Sequence, residues 1–314
     1  MRKYFYLIAF ITLFISCDQD TEYLGHYVTC ATYDEPWDEY IHKTCTKTVH
    51  DGYDKNGNEI THEEEYDCSY VEYHEKKWFI TLENGHKTYI SEDQYKQVIK
   101  KLGTPRVFVD MHRHYHRIDG DRYEIHFNNK WENAWTITQK NTYKNKIINS
   151  KSVFNFSDVS KEDFKEYGLY DYPSNFDYVI DQNPIIGYTV NSNVIDSFQC
   201  LNAFYGPKYQ FRCYVMVWKN APLKTSKLEQ DFLVGGNKNE LIICVSINNK
   251  NQVQWVNSFS WEDKPYIEVA INHLYEPEEN FDILKIYKYL KKEVPTKWHR
   301  KEFKDFEYIK NQIK

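Results

Sequence analysis

The sequence lacks several things. Its N-terminal apolar run, residues 4–15, is about a dozen residues long. A bilayer-spanning helix needs about 20, so this run does not cross a membrane as a helix. There is no Ser-His-Asp arrangement of fixed spacing, no Walker motif, no Cys-x-x-Cys pair and no internal repeat. Those absences remove the enzyme and redox classes that a short motif announces. An excess of positive charge is missing too, with 40 Lys and Arg against 46 Asp and Glu and a formal charge of −6. Residues 18–75 hold sixteen acidic residues and three Lys, a net of −13. Nucleic acid is therefore excluded as a partner, because its binding needs phosphate-neutralising cations. The basic stretch, residues 285–314, has ten Lys and Arg against four acids and reads as a solvated helix face.

What is present begins with a leader. Arg2 and Lys3 precede the apolar run, which has the length of a signal-peptide core. Ser16-Cys17 follows, and then "DQDTEY". This order resembles the lipobox of bacterial lipoproteins, with Phe14 in place of the usual leucine. The resemblance implies removal of residues 1–16, lipidation of Cys17, and a membrane-anchored protein on the extracytoplasmic side. Two or more acyl chains would hold it stably.

Six further cysteines sit in a chain expected in an oxidising compartment. Asn56-Gly57 is a strong hairpin signal. A two-residue turn there sets Lys55 against Asn58 and Cys45 directly against Cys68. This register predicts a Cys45–Cys68 disulfide, the alternative being two free thiols. Cys213 and Cys244 lie in apolar strand-like runs and read as small core residues.

Residues 17–150 read as a β-rich module, an antiparallel meander with one helix. Ser91 is its N-cap, acids fill the first turn, and Gly103 is the stop. Residues 151–180 read as a connector, and 181–314 as a layered α/β domain, so the chain is α+β overall. "NSNVIDSFQCLNAFYG" predicts a helix stopping at Gly206, and "YIEVAINHL" predicts a strand. The order helix, strand, helix, Gly-Gly-Asn, "NKNELIICVSI", "VQWVNSFSW" over about 185–275 resembles the TPM domain. That resemblance implies a fold used by membrane-tethered extracytoplasmic proteins, some proposed as phosphatases and others as assembly or repair factors.

The stretch "RVFVDMHRHYH" places Asp110, His112, His114 and His116 on one face of a strand. A three-residue turn, Ile118-Asp119-Gly120 with Gly120 left-handed, would set His112 against His126, His114 against Glu124 and Tyr115 against Tyr123. The set His112, His114, His116, Glu124 and His126 then either binds a divalent metal such as zinc or forms the solvated face of an amphipathic sheet. Trp37, Trp78, Trp131 and Trp135 are either a glycan-stacking surface or core. The expected function is that of a tethered extracytoplasmic factor binding a protein or glycan. A TPM-like, metal-dependent phosphatase is the alternative.

Overall fold

The computed structural model describes residues 19–103, 106–109, 115–131, 133–144, 155–172 and 181–302. Cys17, His112 and His114 lie outside them. The fold is α+β, with an antiparallel β-rich N-terminal part and a mixed α/β C-terminal part. Among the described residues no helix is long and apolar enough to cross a membrane.

Strand β1 (Gln19–Asp34) organises the first part. Its beginning pairs with β10 (Thr136–Lys144). Its end lies between β6 (Lys77–Leu82) and β9 (Arg122–His126). β7 (Lys87–Tyr89) and β8 (Arg106–Val109) form the two edges. One face of this sheet, with Ala31 and Ile80, is covered by α1 (Glu92–Leu102) through Tyr95, Val98 and Leu102. Ser91 caps α1 as its sequence predicts: its hydroxyl accepts from Gln94 N–H, and Gln94 Oε1 accepts from Ser91 N–H.

The expected meander is instead a set of nested ladders. β2 (Trp37–Ile41) pairs with β5 (Tyr70–His74), and β3 (Thr44–Tyr53) pairs with β4 (Glu59–Asp67). Asp34 faces Lys77, Trp37 faces His74 and Thr44 faces Asp67. All three pairs total 111, so one register runs from the sheet outward through two interruptions. The result is a single long hairpin arm. All nine residues of β4 are exposed.

The arm's tip corrects the sequence-derived register. Asp54 N–H donates to Asn58 O, and Gly57 has φ +83°. The loop is therefore the three residues Lys55-Asn56-Gly57, held by the Asp54 carboxylate, which accepts from Asn56 N–H and Asn58 N–H. A bulge between His50 and Gly52 adds a second slip. Cys45 consequently faces Tyr66, not Cys68. Two slips of one residue restore the side-chain parity, so Cys68 stays on the face of Cys45. The Cys45–Cys68 disulfide is formed, with Cα atoms 5.8 Å apart.

The C-terminal sheet runs β11 (Ile185–Ile186), β12 (Arg212–Lys219), β13 (Glu240–Ile247), β14 (Val253–Ser260). The first three strands are parallel and β14 is antiparallel. On one face Cys213, Val215, Leu241 and Ile243 pack against α3 (Ser192–Tyr209), α5 (Tyr266–Asn272) and α6 (Ile283–Lys297). On the other, Tyr214, Met216, Ile242 and Cys244 lie under Tyr170, Tyr172 and Leu233, which follows α4 (Lys224–Phe232). The stretch read as a connector thus helps close this core, after its own short helix α2 (Lys161–Glu166).

Two helix and strand expectations are revised. Residues 266–272 form a helix, because Ile267 and Ile271 are buried together while Val269 between them is 54% exposed. Gly206 does not stop α3, which continues to Tyr209. Gly206 is small because β1 crosses there: a Cβ on it would lie 2.5 Å from Gly25 O, and one on Gly25 would lie 2.7 Å from the Asn202 backbone.

Candidate functional site

The hairpin register predicted around the histidines is not the one that β8 and β9 form. β8 pairs with β9 by setting Val109 against Arg122 and Phe108 against Tyr123. Tyr115 bridges to Glu39 on β2, not to Tyr123. The chain between β8 and β9 is thus a long connection whose later part lies along the root of the arm. Asp38 holds it there. Its carboxylate accepts from Ile118 N–H at 2.7 Å and Arg117 N–H at 2.8 Å. The same bonds keep Asp38 below the usual carboxylate range. Gly120 is not left-handed; it is needed because a Cβ would lie 2.3 Å from Pro36 O. These long-range contacts outweigh the local turn preference.

The predicted metal set is therefore divided. His116 goes to the arm, where its ring stacks on Tyr40 with centroids 5.7 Å apart. Glu124 and His126 remain on β9 and meet, with Nε2 3.0 Å from Oε2. His112 and His114 lie outside the described residues. A residue that the sequence did not single out joins the β9 pair: Cys30 faces His126 across the β1–β9 ladder. Ligand atoms of Cys30, Glu124 and His126 lie within 4.8 Å of one another. Burial pushes the Cys30 thiol up, which keeps it protonated at neutral pH and weak as a nucleophile. A metal would have to displace that proton. Lys87 also stands near, and Arg122, clamped on Asp34 at 2.6 and 2.8 Å, adds positive charge close to Glu124 and Cys30. The donor types suit a soft cation; the surrounding charge opposes one.

The arm carries a second set. Glu39 and Glu72 are direct cross-strand partners on β2 and β5. His74 Nε2 lies 3.2 Å from Glu39 Oε1, and the three ligand atoms again fall within 4.8 Å. No local motif announces this set, since 33 positions separate Glu39 from Glu72. The shared register of the three ladders would have found it.

Among the described residues of the C-terminal part, the perturbed acids Glu229 and Glu262 are buried. Glu229 is fully buried and accepts from Tyr170 N–H at 3.2 Å. Desolvation raises its pKa to about 8. Glu262, 7% exposed, is raised by the same cause to about 7. Arg212, 0% exposed, donates to Tyr214 OH at 2.7 Å and Thr138 Oγ1 at 3.2 Å, joining the two parts of the fold. These groups are sealed from solvent, as structural acids and bases are. Two recesses among the described residues measure about 110 Å³, beside Asp181 and Trp135, and about 220 Å³, beside His86 and Ile137. Both fall short of the ~300–1,000 Å³ of ordinary small-molecule pockets.

The four tryptophans do not share a surface. Trp78 and Trp135 pack on the N-terminal core, and Trp131 packs on the C-terminal core, stacked on Phe204 at 4.8 Å. Trp37 stacks on His74 at 4.2 Å. Comparison with known proteins adds no relative: no family model, no curated protein and no solved structure matches this chain.

Proposed function

We propose that the protein is a non-catalytic binding factor, tethered by a lipid on Cys17 and working outside the cytoplasm, that engages a protein partner through its hairpin arm. The observation that carries this reading is the set of exposed apolar side chains along both faces of the arm. Tyr53, Ile60, Tyr66, Tyr70, Val71 and Tyr73 are 70, 46, 45, 47, 45 and 56% exposed. Exposed apolar side chains gathered on one element mark an interaction surface. A two-stranded ribbon also offers unpaired backbone edges for strand addition. The Cys45–Cys68 disulfide supports an oxidising compartment. The element order α3-β12-α4-β13-β14 is the one on which the TPM resemblance rests, and that resemblance includes assembly factors.

The test is site-specific photo-crosslinking in intact cells, with the crosslinker at Tyr66 or Tyr73 and, as control, at Val269. A discrete adduct from the arm positions alone is expected, and the one from Tyr73 should be lost when residues 44–67 are replaced by a short turn. Equal adducts from arm and control would overturn the reading. Cys17→Ala should release the chain from the membrane fraction; unchanged retention and mature mass would refute the anchor.

A further inference from the structure

We infer that Glu39, Glu72 and His74 form a divalent transition-metal site at the root of the arm. The β2–β5 register forces the two carboxylates to stand directly opposite each other. Like charges in that position repel, with Cβ atoms about 5 Å apart. Several other acids of the arm have partners: Glu64 pairs with Lys47, Glu59 with His50 and Asp51 with His62. The Asp54 and Asp38 carboxylates accept backbone N–H groups. Among the described residues, no Lys or Arg pairs with Glu39 or Glu72, and Glu39's ion pair is with His74. A cation between the carboxylates removes this repulsion.

The third donor decides which cation. The His74 imidazole is fixed by the Trp37 ring, 4.2 Å away and 15° from parallel, with Nε2 turned toward Glu39. Such stacking restricts the rotation of the imidazole. One nitrogen and two carboxylate oxygens neutralise a divalent ion and leave coordination positions open, as in three-ligand zinc sites. Imidazole favours zinc-class ions over Mg²⁺ and Ca²⁺, which take oxygen donors. Backbone pairing supports the geometry from both sides, because Glu39 is bridged to Tyr115 as well as paired with Glu72. The Cys30, Glu124 and His126 set lacks this advantage, since Lys87 and Arg122 stand close to it.

Titration of the full chain with Zn²⁺, Mn²⁺ and Mg²⁺ alone, followed by calorimetry and equilibrium dialysis, tests the site. One Zn²⁺ per chain is expected, bound more tightly than Mg²⁺. Glu39→Gln, Glu72→Gln and His74→Gln should each weaken Zn²⁺ binding by at least about tenfold, given that even outer-shell partners are worth 10–100-fold. His126→Gln should leave it unchanged. In the unmodified chain, Zn²⁺ should also slow diethyl pyrocarbonate modification of His74, a readout that needs no variant to fold. No saturable binding at about 100 μM Zn²⁺, survival of binding in the Glu39→Gln/His74→Gln double variant, or its loss in His126→Gln would each overturn the assignment.

Discussion

Strands β4 and β13 are of similar length and opposite fate. β4, "EITHEEEYD", has all nine residues exposed; β13, "ELIICVSI", has all eight buried. β13 is flanked by two other strands, with helices on one face and aromatic side chains on the other, so its stability comes from area removed from water. β4 has one neighbour and no cover. Its ladder persists through the Asp54-organised turn, the ion pairs along it and the disulfide, which act locally. The two regions should therefore respond differently to the same kind of perturbation.

The largest effect is expected in the layered core. Phe198→Ala, at a fully buried position of α3, should cost about 3–5 kcal/mol in equilibrium urea unfolding. A loss under about 1 kcal/mol would mean that α3 is not an integral part of this core. Replacing Cys45 and Cys68 with Ser removes a cross-link spanning 23 positions. The chain-entropy effect is about 2–4 kcal/mol. It should fall on the arm alone, seen as faster amide exchange and proteolysis in residues 44–67 with the main transition unmoved. A matching drop in the main transition would show that arm and core unfold as one. Gly25→Ala places a Cβ against the α3 backbone and should cost about 1–3 kcal/mol through overpacking.

Glu229 gives the core a pH dependence opposite in sign to that of the arm's Asp38 and Asp54, whose carboxylates are held below the usual range. Its folded pKa, about 8, is above the unfolded value near 4.3. The folded state thus binds its proton more tightly. This contribution is fully present below the unfolded pKa and is lost as pH rises through about 8. The slope reaches about 1.4 kcal/mol per pH unit. Glu229→Gln should flatten unfolding free energies between pH 5 and 8, and an unchanged profile would reject the assignment. The smallest effect belongs to the arm's surface. Tyr73→Ser should shift stability by no more than about 0.5 kcal/mol while reducing partner adducts, which separates binding from folding.

Much of this was legible without coordinates, where the deciding contacts are close in sequence or the pattern is strong. Ser91 and Gln94 cap α1 across three positions. The apolar runs of β12 and β13 read as strands, and both are buried on both faces. Cys45 and Cys68 were paired correctly through a register two residues out, because an even slip preserves which face a side chain occupies. The candidate sites were less legible. Glu124 and His126 do meet, but their companion Cys30 is 94 positions from Glu124, and the arm set needs a ladder running from Asp34 to His50.

By itself, then, the sequence determined the period of the strongly patterned segments, the helix cap, the acidic character of the arm and the parity of its cysteines. Each depends on residues within a turn, a ladder step or a composition. Tertiary structure alone decided the route of residues 115–121, where Asp38 takes backbone N–H groups 79 and 80 positions away and Pro36 leaves no room for a Cβ on Gly120. It decided that Gly206 admits a crossing strand instead of ending a helix, and that Ile267 and Ile271 share a helical face. The physical reason is the same in each case. A turn or β propensity is worth about 1 kcal/mol or less, and buried hydrogen bonds and close backbone packing supplied by distant residues exceed it.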